Sequence, residues 1–590
     1  MKQFIFLFTL LISQVNIAQN DFLLAENFYR EGEYKKATQI YKKLFIKSPY
    51  NTTYLNRLIS CYQETNLFAT AETLLKNRLQ SNKNQPYLYI LLGYNYEKQS
   101  KKEIAKIYYK KALQSIENNP YFSGIIGKFF KEYNLLEYAI KAYEKGMEKN
   151  PKANYSFQIA QIYGEKGAFT KMFQSYINLV DKNKNYLNTV QHFASKYITD
   201  DAKNSNNILF KKTLLRKSIS NPKDEWNILL SWLFTQQKDY NKAFIQEKAL
   251  YKRSTKEVNN ITSLGKIAFE NNAFEIAKKC FSFVLENTNY TEKKLFALLY
   301  KTKIAIAQKN PETEAVFQAI FTEYGKKNTT LNIQIAYADF LTFQKNQPKK
   351  AIKILQKALQ FTHSKFQKAE IKLKLGDVLV FTNNYNKALI YFSQIQTQLK
   401  NHPLAQEARF KVAQTSYFKG DFNWAKAQLK ILKGATTQLT ANDAVDLYLT
   451  ITDNEPVDSI PSGLIQYAKA SLLEFQHKNQ EAITVLNEVI TKYKGQPIED
   501  EALLKQAMLF IKQKEYEDAI INFTKVIAMD AEGILVDDAY YQLAELYNNQ
   551  IQNPEKATIY YKKIIFDFPS SIYLVDARKK FRKLRGDGVQ

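Results

Sequence analysis

From Glu26 to Pro49 the chain reads ENFYREGEYKKATQIYKKLFIKSP. Aromatic and small residues fall at helical spacing here. Phe28 precedes a break at Gly32; Tyr34 and Tyr41 then flank Ala37 at three before and four after. Apolar positions three and four apart mark one face of a helix, and a glycine after the last of them marks its end. The stretch therefore predicts two helices that meet at Gly32, with the second closed by Pro49, which cannot continue it.

The same spacing returns at a fixed step. Small residues recur at Ala71, Ala105 and Ala139, each 34 residues after the last. Phe68 precedes Ala71, Tyr109 follows Ala105, and Tyr143 follows Ala139. Twelve residues before each alanine stand Ala25, Ile59, Gly93 and Gly127, followed after three by Phe28, Tyr62, Tyr96 and Phe130. Pro49, Pro120 and Pro151 close units. A fifth unit carries Ala160, Tyr163, Gly167, Phe169 and Tyr176, with Met172 in the alanine position. The register resumes at Tyr240/Ala243, Phe274/Ala277, Ala351, Tyr385/Ala388, Phe422/Ala425, Ala482, Tyr516/Ala519 and Ala557. Segments 182–225 and 291–330 fit it poorly and are expected to be irregular.

This pattern, Gly-x2-Tyr … Ala-x3-Phe … Pro at a period of 34, resembles the tetratricopeptide repeat family. The resemblance implies an all-α solenoid of helix–turn–helix units, about twelve recognisable and one or two degenerate, wound as a right-handed superhelix. In each unit the small residues let two helices cross closely, and the aromatics fill the space beside the crossing. The "PSSIYLVDARKKFRKL" stretch reads as a final helix capping the open end. "DDAYYQLAELYNNQ" and "PEKATIYYKKIIFDFPSSIYLVDARKKF" are similar to repeats of periplasmic proteins of outer-membrane assembly and cell-division coordination. "SWLFTQQKDYNKAFIQEKALY" resembles exported repeat proteins of the Bacteroidota type.

Composition fits a solenoid. At 590 residues a globular chain would split into several domains, but a repeat array buries each unit against its neighbours only. Aromatics at 14% then mean packing. "MKQFIFLFTLLISQVNIAQN" has a basic flank at Lys2, a short apolar core and a small residue at Ala18, which predicts a signal peptide over 1–18 and export, to the periplasm. No later apolar run is long enough to span a bilayer. Cys61 and Cys280 are read as buried apolar residues.

Charge is unevenly placed. Residues 441–590 hold 17 Lys/Arg and 23 Asp/Glu, net −6, which leaves net +33 for residues 1–440 of the chain's +27. "TDNEPVDSIPSG" coincides with the change. The expected division is a basic solenoid over 20–452, a linker over 453–462, and an acidic solenoid over 463–590 with a basic capping tail. A long basic segment attracts anions. Protein partners with acidic segments are the expected ligands and peptidoglycan the alternative; the export signal argues against nucleic acid.

No chemistry-bearing constellation accompanies this. His192, His363, His402 and His477 do not pair at metal spacing, and neither a phosphate loop nor a nucleophile elbow is present. The sequence predicts no enzyme, cofactor or metal. Binding remains. The family resemblance places ligands in a concave groove lined by the first helix of each hairpin. Its groove positions fall on Tyr29, Tyr94, Lys128, Lys131, Trp232, Lys266, Phe269 and Tyr417, with Glu26, Glu97 and Gln414 beside them. Aromatics interleaved with lysines would supply contact area and steering for an acidic segment.

Overall fold

The computed structural model describes residues 21–81, 84–434, 438–456, 462–530 and 533–586. The expected signal peptide and residues 457–461 of the expected linker lie outside these. The described residues form α-helices in succession, with no strand among them. Consecutive helices pack as hairpins, for example Leu88–Lys98 with Lys102–Asn118 and Lys365–Phe381 with Tyr385–Gln398. The first helix of a hairpin is called A here and the second B.

The alanine register maps onto one structural position. Ala37, Ala71, Ala105, Ala139, Ala243, Ala277, Ala351, Ala388, Ala425, Ala482, Ala519 and Ala557 are each the fourth residue of a B helix, and all are buried. Met172 takes the same place in Phe169–Lys182, also fully buried. Four residues on, the ring lies against the small residue of the A helix. A Cβ on Gly93 would sit 2.3 Å from the Tyr109 ring, one on Gly127 2.4 Å from Tyr143, and one on Gly376 2.2 Å from Phe392. Those rings occupy the space a side chain would need.

The A–B turns share a left-handed residue. Gly32, Gly167 and Gly420 hold it, and Asn66, Asn134, Asn272 and Asn383 hold it elsewhere. Asparagine tolerates that conformation better than most residues, so loss of the glycine does not break the repeat.

Contacts divide the chain into two compact units, Met1–Leu250 and Tyr251–Gln590. Residues on both sides of the expected linker at 453–462 fall in the second unit. The reason is a long-range clasp at the A–B turns. The Phe475 and His477 rings lie 5.5 and 5.2 Å from Phe343, and Phe475 lies 5.8 Å from Phe418. The Gln476 amide donates to the Phe381 carbonyl at 2.9 Å and to Asn383 Oδ1 at 3.1 Å. The helix Gln438–Asp453 precedes the clasp without a B partner of its own. Replacing Phe475 with alanine removes these ring contacts. It should raise hydrogen exchange in Leu464–Phe475 and leave the helices of residues 21–250 unchanged.

Both segments expected to be irregular contain helices. Thr291–Ala307 and Thr313–Tyr324 form a hairpin, with Val316 in the alanine position and Phe317 fully buried beside it. A β-branched residue at the crossing hides the motif but not the packing. Segment 182–225 holds a short helix, Leu187–Ala194, and a longer one, Ser205–Ser220. Between them Asn207, itself buried, donates to the carbonyls of Thr199 and Asp201 at 2.8 Å each. This side chain satisfies a loop that a regular hairpin would not have.

The last helix, Leu574–Arg585, buries Ala577 and packs on Pro554–Asp567. Arg578, Arg582 and Lys583 face solvent. This is the polar outer face that a solenoid end needs.

Candidate partner-binding surface

The A helices carry the polar ladder of the fold. Ion pairs link one A helix to the next at steps close to one repeat: Glu64 with Lys98 at 2.9 Å, Lys131 with Glu165 at 2.8 Å, Asp339 with Lys374 at 2.6 Å, Asp377 with Lys411 at 3.1 Å and Glu545 with Lys580 at 2.7 Å. Part of the charge nominated from sequence is spent here. Lys131 is tied to Glu165, and Lys128 and Lys266 lie 3.6 and 3.7 Å from Glu132 and Glu270 on their own helices. Exposed pairs of this kind contribute little and leave both lysines able to exchange partners.

In the first unit Tyr29 and Tyr94 lie on the A helices. Tyr29 shares a 2.7 Å hydrogen bond with Ser60, and the Arg57 guanidinium lies 4.5 Å from its ring centre. Tyr94 packs 4.6 Å from Tyr133. Burial raises the Tyr133 phenol, with Tyr29 and Tyr94 contributing smaller effects of the same sign. Tyr94 and Tyr133 thus form one ring pair, and Tyr29 lies on the first A helix. Glu26 and Glu97 have structural partners. Glu26 is buried, accepts from Tyr41 at 2.6 Å and is gripped twice by Arg57, at 2.6 and 3.0 Å. Glu97 accepts from Tyr109 at 2.5 Å. Trp232 is half-buried, edge-on to Phe210 at 6.2 Å.

In the second unit the A helices Asn259–Glu270, Thr291–Ala307, Leu331–Phe343 and Lys365–Phe381 enclose a groove of 630 Å³. Its floor is apolar: Phe269, Leu299, Ile306, Ile335 and Ala336. Lys303, Asp339, Glu370 and Lys374 complete its lining. Phe269 is thus placed on a groove, its ring 5.4 Å from Tyr300. Lys374 bridges Asp339 at 2.6 Å and Asp377 at 3.5 Å, and these carboxylates hold its ammonium above the usual range against desolvation. Lys303 is different. Burial lowers its pKa, Asp339 opposes this, and Lys266 adds to it.

Tyr417 is corrected. It is only 2% exposed, with its hydroxyl 3.4 Å from Ser471, and it backs a 290 Å³ cleft with Gln414, Tyr467 and Glu474. The clasp that draws Leu464–Phe475 onto Pro403–Lys419 covers it.

Beside that cleft is a cluster of carboxyls. Burial, then neighbouring Asp500, pushes Glu501 up to about 7, while Lys505 and the hydroxyl of Tyr467 (3.3 Å) oppose the shift. Asp538 is raised too, chiefly by burial, although Tyr573 donates to it at 2.6 Å. A carboxyl whose folded pKa exceeds its unfolded value holds its proton longer in the native state. Its effect on stability is favourable at low pH and is lost as pH rises from about 4.5 towards 7. The loss is about 3 kcal/mol at most. Glu501→Gln should flatten the unfolding midpoint across that window and raise it at pH 8; an unchanged slope would remove Glu501 as the cause.

The sequence missed Lys303, Ile335 and Lys374. The register fails over 291–330, which hides Lys303; Ile335 and Lys374 lie on A helices whose partners carry Ala351 and Ala388, at positions the family pattern does not single out.

Stacked helical hairpins with an A-helix groove define a helical-repeat binding protein. Models of the tetratricopeptide repeat match residues 86–119, 501–530 and 538–571. With the alanine positions and hairpin geometry above, the chain carries tetratricopeptide repeats, a repeat type that suggests protein–protein interaction. No curated protein matches it in sequence. Solved structures similar to it include yeast Tom70, at 14% identity and TM-score 0.31, covering 79% of this chain and 100% of that one. Another is Naa15/Naa10 bound to HypK-THB, at 11% identity and TM-score 0.28, covering 96% and 97%. A tetratricopeptide repeat protein from Parabacteroides merdae aligns at 14% identity and TM-score 0.25, covering 48% and 96%.

Proposed function

We propose that the protein is a non-enzymatic scaffold of the cell envelope that docks partner proteins on its A helices, in secretion or outer-membrane assembly. The observation that carries this reading is the apolar-floored groove of the second unit, 630 Å³ and lined from four successive A helices. Apolar surface left open on such a floor is stabilised by a partner's side chains. The ring pair of Tyr94 and Tyr133 offers a second contact area. The N-terminal pattern of Lys2, an apolar core and Ala18 supports export.

Two measurements test this. The mature N-terminus, sequenced from a periplasmic extract, should begin at Gln19; a chain retaining Met1 in the cytoplasm would remove the envelope from the reading. Crosslinking of a tagged copy in cells should recover a defined partner, and Ile335→Asp should lose it. Pelleting with purified sacculi that survives Ile335→Asp and vanishes at moderate salt would favour peptidoglycan as the ligand instead.

A further inference from the structure

The outer face of the last helix, Leu574–Arg585, carries charge of one sign. Its inner side is occupied: Ala577 is buried, and Phe581 and Leu584 pack against the core. Asp576, the one acid of the helix, is engaged by Lys580 at 2.7 Å and accepts from Tyr541 at 2.5 Å. Lys580 is also held by Glu545 at 2.7 Å. The remaining charges are Arg578, Lys579, Arg582, Lys583 and Arg585, all exposed. Neither Arg578 nor Arg582 makes an ion pair with another described residue. Polarity is all that a solenoid end requires, and this face has three further features. The first is residue type. The chain has nine arginines among its 84 Lys and Arg, and three of them stand at 578, 582 and 585, four and three apart along one stripe. The second is position. Cations in the last turn complement the helix dipole, which accounts for Arg582, Lys583 and Arg585 but not for Arg578 and Lys579. Like charges at i and i+4 repel, so Arg578 with Arg582 and Lys579 with Lys583 weaken the helix until an anion lies across them. The third is apolar exposure at the same place. Val575, 78% exposed, stands three, four and seven residues before Arg578, Lys579 and Arg582 and so shares their face. Ile572, 85% exposed, lies in the turn that leads into the helix.

We propose that this face lies on a membrane surface of anionic phospholipid. The guanidinium forks of Arg578, Arg582 and Arg585 take lipid phosphates by paired hydrogen bonds, a geometry that ammonium groups do not offer. Val575 and Ile572 enter between the headgroups, as apolar side chains beside cations do at an interface. A nucleic acid presents the same phosphates but no apolar layer for those two side chains. A long polyanion would also have to pass the acidic residues behind the helix, because 441–573 hold 11 Lys/Arg and 21 Asp/Glu. A membrane that touches only the outer face is kept from them by the helix itself, about 10 Å across, against a screening length of about 8 Å. The contact needs no spanning segment and does not depend on what the groove holds.

Sedimentation of the full mature protein with vesicles tests this. It should bind vesicles of phosphatidylcholine containing one-third phosphatidylglycerol and should not bind phosphatidylcholine alone. The double variant Arg578→Glu/Arg582→Glu should lose at least tenfold in binding, and replacing all three arginines with lysine at least threefold, with circular dichroism unchanged. Val575→Cys carrying the polarity-sensitive dye NBD should brighten when the anionic vesicles are added; Cys61 and Cys280 are buried and do not compete for the label. Binding that survives both arginine variants would place the contact elsewhere on this basic chain and overturn the proposal. So would an absence of vesicle binding. A dye that stays dim on vesicles the protein does bind would overturn the entry of the apolar side chains. A short DNA duplex held as tightly as the vesicles, with the same loss on Arg578→Glu/Arg582→Glu, would assign the face to nucleic acid instead.

Discussion

Gly376→Ala should destabilise the repeat built from Lys365–Phe381 and Tyr385–Gln398 by about 1–3 kcal/mol. In a helix of no special environment the same change would stabilise by about 1 kcal/mol, because alanine loses less backbone freedom than glycine. The sign reverses here because the added Cβ would sit 2.2 Å from the Phe392 ring, which is fully buried and has nowhere to move. Phe392→Ala alone should cost about 3–5 kcal/mol through the cavity it leaves. The two changes should not add. In the Phe392→Ala background, Gly376→Ala should cost nothing or recover part of the loss, since the clash has gone. Chemical unfolding of the four proteins measures this. Additive losses would mean that glycine and ring do not share the crossing, and the reading of the whole repeat register would fail with them.

Lys374→Met should cost about 3 kcal/mol. Lys374 sits between Asp339 and Asp377 on two successive A helices, and its side chain is 22% exposed. Its removal leaves Asp339 without that counter-ion and strips one of two cations from Asp377, which retains Lys411 at 3.1 Å. A methionine variant as stable as the parent at neutral pH would show that the aliphatic stem, not the charge, holds these helices together.

Much of the fold was legible because one residue type marks one place. Twelve alanines of the register are the fourth residue of a B helix, and where Tyr109, Tyr143 or Phe392 stands four residues on, its ring fills the crossing. Ala351 and Ala557 were found although Pro348 and Pro554, not aromatics, begin their helices. The register went silent at Thr313–Tyr324 because Val316 stands in the alanine position there. The clasp was illegible for another reason. Phe343 and Phe475 are separated by more than three repeats, and nothing in a period of 34 relates them.

The candidate surface was less legible. Phe269, named from family positions, lies in the lining of the groove. Tyr417 carried the same pattern and is buried, because burial there is decided by Leu464–Phe475, far along the chain. Lys303 was missed because it lies on Thr291–Ala307, where the register is silent.

The central claim is that partner proteins bind along the A helices of the second unit. A photocrosslinking amino acid placed in cells at Ile335, on the groove floor, and separately at Ile521, an exposed residue of the B helix Tyr516–Met529, tests it most directly. The account predicts a discrete crosslinked protein at Ile335 that disappears with Lys303→Glu, and none at Ile521. The same crosslinked protein from Ile521, with Ile335 silent, would contradict it.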